Sequence, residues 1–368
     1  MRPGFLLIAW LIVIAGPLAG PAAASFDTGP GRPQPASTPS PQAPANPSGA
    51  LLLPASPTAT PQPGVRTLVP DAGCCTGVFW SPDSVWVAYI ARPKGARAAG
   101  IYGAAVDGTG VRRLYSRIGL LSPDWALMAY PDDGKTILMS TASGRKWVVP
   151  AAGNAVRFSP SRDRIIWETG SSTYAHLDLR RRAIWMANVD GSRAIKAVTT
   201  YGGGFIGWTA DEANLLVSGR LSAYDPRGVW VIPLDASPPW LLFEADQIHD
   251  PLLSPDGAWL AFYLAFGADA SQDGLWIVKT DGSQQHHLPY FGAYRWRSGD
   301  QLLVIPQVMQ PDEAELLQVD ASSGESRRLA AIERGASIAA NDWQPSPDGR
   351  WLAFVSADGG GLMLAPLP

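Results

Sequence analysis

The sequence predicts an all-β chain folded as a seven-bladed β-propeller of four-stranded blades, and three observations predict it. A segment built around Ser-Pro-Asp recurs seven times between residues 79 and 355. Each recurrence is followed by a second short apolar stretch ending in a turn, such as "AIWMANVDG" or "GLWIVKTDG". Charged residues make up only 17% of the chain while it holds 15 Trp and 38 Gly, and no long helical periodicity interrupts the alternation.

From the N-terminus, Met1-Arg2-Pro3-Gly4 leads into the apolar run "FLLIAWLIVIAG" and then "PLAGPAAAS". A short basic start, a brief apolar core and small residues before Ser25 read as a secretory signal peptide over 1–24. The apolar run is shorter than the roughly 20 residues of a membrane span. An uncleaved anchor is the alternative, and it is the one route to membrane contact. Residues 25–63 are crowded with Pro, Ser, Ala and Thr. Such a stretch lacks both backbone donors and apolar surface to bury, so it reads as a disordered linker. The folded domain is expected over 64–368, outside the cytoplasm.

Within that domain the repeats are "FWSPDSVWVAYI" (79–90), "LLSPDWALMAYP" (120–131), "RFSPSRDRIIWE" (157–168) and "GWTADEANLLVS" (207–218), followed by "LLSPDGAWLAFY" (252–263), "RWRSGDQLLVIP" (295–306) and "QPSPDGRWLAFV" (344–355). Their turns recur about every 44 residues, the period of a propeller blade. In Ser254-Pro255-Asp256-Gly257, Ser opens a type I turn, Pro presets φ, and Gly releases the chain. The Asp-Gly pairs supply the second hairpin of each blade. Strands A to D then alternate Val, Ile, Leu and Trp with small or polar residues, the pattern of half-buried strands. The last unit stops at "GLMLAPLP", a strand C without a strand D, while the domain opens with "GVRTLVP". Val65–Val69 is therefore expected to complete the final blade beside Leu362–Ala365. Units three and four are more degenerate, which leaves six or eight blades as alternatives.

The "SPDG.WLAF" turns with the following "LWIVKTDGS..HHL" resemble the exported WD40-like (PD40) repeats of the TolB and dipeptidyl-peptidase propeller superfamily, over roughly 64–368. The resemblance implies fold; one propeller scaffold serves many tasks. No TolB-like N-terminal α/β domain and no hydrolase domain accompany the repeats.

In such a ring the D–A and B–C connections share the face where ligands enter. Candidate rim residues there are Cys74, Cys75, Tyr201, His249, Asp250, Tyr294, Asn341 and Asp342. The adjacent cysteines, the only two in the chain, either form a vicinal disulfide or pack as free thiols. A bridge between neighbours closes almost no loop, so it would shape a surface rather than staple a fold. Aromatic faces beside carboxylates suit sugars, peptides or cations. Arg180-Arg181-Arg182 and Arg92/Lys94/Arg97, expected in B–C connections, read either as solvated charge or as a greeting for an acidic polymer. Trp80, Trp208, Trp296 and Trp343 are expected to pack between blades.

Several classes are excluded or disfavoured. A net charge of −3 gives no basic face for nucleic acid. Four histidines do not readily build a multi-histidine zinc site, and "DASQDG" (269–274) has Thr280 where a calcium loop needs Glu. No metal or cofactor is expected. Nucleophile-elbow, zinc-protease, phosphate-loop and dinucleotide motifs are missing from the sequence. The expectation is a monomeric, non-catalytic binding module or scaffold for a protein partner or cell-envelope polymer. The alternative is a carbohydrate-active enzyme, a lyase or glycosidase, with Asp250 and Asp342 as its carboxylate pair.

Overall fold

The computed structural model describes residues 64–70, 76–170, 180–267, 269–306, 314–332, 338–356 and 361–368. The signal segment, the linker and the Cys74-Cys75 pair lie outside the described residues.

The described strands form seven four-stranded antiparallel sheets. Blade 1 runs through Thr76–Trp80, Trp86–Ala91, Gly100–Ala105 and Val111–Tyr115, and blade 2 through Leu120–Leu121, Leu127–Asp132, Lys135–Ser140 and Lys146–Val149. Blade 3 is Val156–Phe158, Arg164–Gly170, Arg181–Asn188 and Ile195–Tyr201; blade 4 is Phe205–Trp208, Asn214–Gly219, Gly228–Pro233 and Trp240–Glu244. Blade 5 comprises His249–Leu253, Trp259–Leu264, Gly274–Lys279 and Gln285–Leu288. Blade 6 comprises Gly292–Trp296, Gln301–Pro306, Ala314–Asp320 and Ser326–Ile332. Blade 7 takes Ile338–Pro345, Trp351–Ser356 and Leu362–Pro366 from the end of the chain and Arg66–Val69 from its beginning. Arg66 pairs with Leu364, Thr67 with Met363 and Val69 with Leu362, which is the expected closure.

Burial shows that the blades form a ring. The apolar core divides into seven clusters, and each cluster is built from two neighbouring blades. Val87, Tyr89 and Ala91 of blade 1 pack on Ala353, Val355 and Leu364 of blade 7, while Ala88 of the same strand packs toward Met128 and Tyr130 of blade 2. Period-two alternation thus gives each sheet two apolar faces, one for each neighbour. The remaining clusters join blades 2 and 3, 3 and 4, 4 and 5, 5 and 6, and 6 and 7.

The recurrent turns are built by one hydrogen-bond pattern. Ser254 Oγ donates to Asp256 at 2.6 Å and accepts the Trp259 N–H at 2.9 Å, and Ser81, Ser122, Thr209 and Ser346 repeat this with their own aspartates. The Asp carboxylate in turn accepts the next backbone N–H, as Ala258 donates to Asp256. The Ser-Pro-Asp signature is therefore structural, a small capping device under the A–B hairpins of five blades. Blade 6 departs from the expected register. Its turn is one residue shorter, so Arg297 N donates to Gln301 O and Arg297 stands where the other blades have Ser or Thr. Ser254→Ala should cost about 1–2 kcal/mol, because the Trp259 N–H loses its acceptor inside the protein. Denaturant unfolding of the single variant would read this as a lower midpoint at unchanged slope.

Two of the expected inter-blade tryptophans also bond across the interface. Trp80 Nε1 donates to Gln344 O and Trp296 Nε1 to Leu252 O, each at 2.9 Å and each reaching the A strand of the preceding blade. Trp208 and Trp343 are equally buried, with Arg164 and Arg295 over their rings.

Candidate functional site

The D–A and B–C connections lie on one face, and the candidate residues divide there into two sectors. The first spans blades 5, 6 and 7. Asp250 sits in a bulge of the blade 5 A strand at φ 49°, between His249, which pairs with Tyr263, and Leu252. The bulge turns the Asp250 carbonyl toward blade 6, where Tyr294 OH donates to it. His249 and Asp250 are exposed.

Tyr294 corrects an expectation. Gly292–Trp296 is a strand, not a loop, and Tyr294 within it is only 4% exposed. Its ring packs edge-on against Tyr263, and burial holds its phenol well above the ordinary range. It supports the rim from beneath and offers no surface to a ligand. Asn341 and Asp342 lie in the blade 7 A strand Ile338–Pro345; of the two side chains only that of Asp342 falls within the described residues.

The residue that organises this sector is one the sequence reading missed. Arg295, beside Tyr294, lies over the Trp343 ring at 5.6 Å and donates to the Tyr294 carbonyl at 2.7 Å. Burial lowers its pKa, and the charges of Tyr294, Asp250 and Asp342 oppose that shift. Asp342 is half-buried; burial raises its carboxyl, while Arg295 and the Gly77 N–H of blade 1 hold it down. Asp250 and Asp342, the two carboxylates expected to pair, both act electrostatically on the Arg295 guanidinium. Four blades contribute: 5, 6, 7 and 1.

A signal for Arg295 was present in the repeat. The position two before the turn residue is Phe79, Leu120, Gly207, Leu252 and Gln344 in five blades, and Arg157 and Arg295 in the other two. Only blades 3 and 6 place a charge there.

Arg157 belongs to the second sector, in blades 3 and 4. It donates to Phe205 O and Ile206 O at 3.2 and 3.3 Å, with its guanidinium over the Phe205 ring. Burial lowers its pKa, Glu168 raises it and Arg182 lowers it. Arg182 pairs with Glu168 at 2.8 Å, and Glu168 also accepts the Phe205 N–H. Tyr201 is half-buried beneath the Arg181 guanidinium at 5.3 Å. The glycines after Tyr201 are required by close approach. A Cβ at Gly203 would lie 2.0 Å from Ser218 O, and one at Gly204 2.6 Å from Glu168 Oε1. Arg181 and Arg182 stand in the C strand rather than in the connection before it.

Two surface hollows lie away from these sectors, on the A–B turn face. One is lined by Arg297, Asp348 and Arg350, the other by Ser161, Asp211 and Glu212. Their charges are used internally: Arg350 pairs with Asp348, and Glu212 accepts from Ser161 Oγ. The 269–274 stretch is a connection whose Asp269 carboxylate accepts from Ser271 N and Oγ.

No family model and no curated protein matches the chain. Solved structures do. An oligogalacturonate lyase in complex with manganese aligns at TM-score 0.57 and 14% identity, covering 83% of this chain and 91% of that one. An oligogalacturonate lyase from Vibrio parahaemolyticus aligns at TM-score 0.60 and 10% identity, covering 83% and 93%. TolB from Acinetobacter baumannii aligns at TM-score 0.44 and 13% identity, covering 77% and 64%. At these identities the two lyase likenesses speak of architecture alone. Among the described residues no group of three His, Cys, Asp or Glu side chains that could hold a metal ion comes together.

Proposed function

We propose that the chain is an exported, non-catalytic β-propeller that binds a protein partner or cell-envelope component through its D–A loop face. Export rests on the N-terminal sequence pattern, with its basic start, apolar core and small residues before Ser25. The observation that supports binding at this face is the Arg295 cluster. Charged groups from blades 5, 6 and 7 converge there, over a buried Tyr294 and Trp343, on strands fixed by inter-blade packing. Polar groups on rigid elements make a preorganised recognition surface. Thermal unfolding of residues 64–368, screened against cell-wall fragments, glycans and peptides, tests this. One class should raise the melting temperature, and Asp342→Asn should diminish the shift. A shift that survives changes on the D–A face but vanishes with changes at the A–B turns would refute the reading.

One observation favours a carbohydrate-active enzyme as the second reading. Asp342 is a carboxyl raised by burial and set beside a cation, the arrangement of a group that exchanges a proton near an acidic substrate. Release of reducing or unsaturated sugar ends from a polysaccharide, lost in Asp342→Asn, would establish it over the binding reading.

A further inference from the structure

The hollow beside Arg297 keeps positive charge beyond the Arg350–Asp348 pair. It lies on the A–B turn face between blades 6 and 7, has a volume of about 380 Å³, and is lined by three arginines, Arg297, Arg327 and Arg350. It sits where the blade 6 turn is one residue shorter and carries Arg297 in place of Ser or Thr. Each arginine comes from a different element. Arg297 belongs to the blade 6 A–B turn, Arg327 to the blade 6 D strand Ser326–Ile332, and Arg350 to the blade 7 A–B turn.

Contacts of the side chains themselves bring this group together. Gln318 stands opposite Arg327 in the C–D pairing, so both side chains project from the same face of blade 6. Gln318 Oε1 accepts from Arg297 Nη1 at 2.9 Å. Arg297 is held further by Nε to Gly349 O at 2.9 Å and by Nη2 to Pro368 O at 2.8 Å. Burial lowers its pKa, and the nearby charge of Arg327 lowers it further. Arg327 itself is exposed, with no hydrogen bond or ion pair among the described residues. Asp348, the carboxylate side chain that lines the hollow, is taken by Arg350 Nε and Ser346 Oγ.

Arg297 is thus a guanidinium fixed by three acceptors, and each of its terminal nitrogens keeps one N–H to offer. Arg327 and Arg350 add free terminal N–H groups from two other elements. Like charges gathered at one hollow repel, and an anion that bridges them relieves the repulsion. A planar carboxylate offers two oxygens to one guanidinium fork. A phosphate group carries close to two negative charges and three strong acceptor oxygens pointing in different directions. Donors arriving from three elements match the phosphate. The volume stands near the lower end of small-molecule sites, about 300–1,000 Å³, which suits a phosphate and a short group attached to it.

We propose that this hollow binds a phosphate group, with Arg297 as its fixed base and Arg327 and Arg350 closing on it from the rim. Inorganic phosphate and the terminal phosphate of a small ester share this chemistry. The site lies on the face opposite the D–A loops, so it adds to the function proposed above and does not depend on it.

Calorimetric titration of the full chain, in phosphate-free buffer, tests this with inorganic phosphate, glycerol 3-phosphate and the dicarboxylate malonate. At least one phosphate should bind, more weakly as salt rises, and malonate about tenfold more weakly still. Arg327→Gln should weaken phosphate binding about tenfold, as loss of a charge-assisted pair does. The melting temperature of the unliganded variant should hold or rise, because Arg327 has no bond to lose. Arg328→Gln removes the same charge from the neighbouring residue, which pairs with Glu315, and should leave phosphate affinity unchanged. Tighter binding of glycerol 3-phosphate would assign the site to an ester, and tighter binding of inorganic phosphate to the free ion. The proposal is overturned if neither phosphate binds, if malonate binds as tightly, if Arg327→Gln binds as wild type does, or if Arg328→Gln loses as much. Its failure would leave the D–A face reading standing, since glycans and peptides test that one on the other side of the ring.

Discussion

A chain that starts at residue 71 instead of residue 64 should fail to give the cooperative unfolding transition of the intact domain. Arg66–Val69 is the outer strand of blade 7, paired to Leu362–Pro366 across nearly the whole length of the sequence. Its removal takes away several ladder hydrogen bonds of about 1 kcal/mol each. It also uncovers apolar surface on both sides of the blade. Leu68 and Val69 pack into the blade 7 and blade 1 cluster, and Val65 into the blade 6 and blade 7 cluster. At about 1.5–3 kcal/mol for each buried aliphatic side chain, the total approaches the 5–15 kcal/mol that stabilises a whole domain. Trp351 also loses the Arg66 guanidinium that lies 5.3 Å from its ring. Circular dichroism with temperature should show a broad transition at least about 10 °C lower. A truncated chain melting sharply at the intact temperature would mean that the seam is closed by something else.

Arg295→Met should be the most damaging change in the candidate site, and its cost should depend on pH in a definite direction. The substitution leaves Asp342 half-buried without its counter-charge. Breaking a fully buried pair costs about 3–5 kcal/mol, and the partial exposure of Asp342 reduces this to about 2 kcal/mol at neutral pH. A carboxyl whose folded pKa stands above its unfolded value is protonated in both states at low pH and imposes no penalty there. As pH rises through the folded pKa, the folded state must carry a poorly solvated charge and loses stability. Asp342 is already raised by burial, and removing Arg295 removes a charge that holds it down. The stability gap between Arg295→Met and wild type should therefore be widest near pH 7 and close as pH falls toward 4. The turn aspartates do not confuse this window. Asp83 and Asp211 are lowered by hydrogen bonds from Ser81 and Thr209, and Asp281 is lowered to about 2 by those from Ser283, so their stabilisation is lost only below about 3.8. Adding Asp342→Asn should restore part of the neutral-pH loss. A gap that does not change with pH would show that Arg295 acts through packing on Trp343 alone.

The architecture was legible because a propeller repeats its instructions. Each Ser-Pro-Asp turn caps its own hairpin with local hydrogen bonds, so the pattern survives in sequence even where strands drift. The closing strand was legible too, because "GVRTLVP" supplies what "GLMLAPLP" lacks. The site was legible only in part. Asp250 and Asp342 act electrostatically on Arg295, which sits in a strand and resembles a solvated charge when read singly. Tyr294 looked like a rim aromatic because "FGAY" reads as a loop; strand A begins earlier there and buries it. The corner at Tyr201 combines residues far apart in sequence, Glu168, Arg182 and Ser218, and its glycine run is explained only when those neighbours are in place. The corner is made where two neighbouring blades meet, which no single repeat encodes.

The most direct measurement is photo-crosslinking from the two faces of the protein in the cells that make it. Crosslinking residues would replace Tyr224 on the D–A and B–C face and Val85 at an A–B turn, both exposed. A defined adduct from position 224 and none from position 85 is the result expected of a propeller that binds through its D–A loop face. The same adduct from position 85 alone would contradict that account and move the functional surface to the opposite side of the ring.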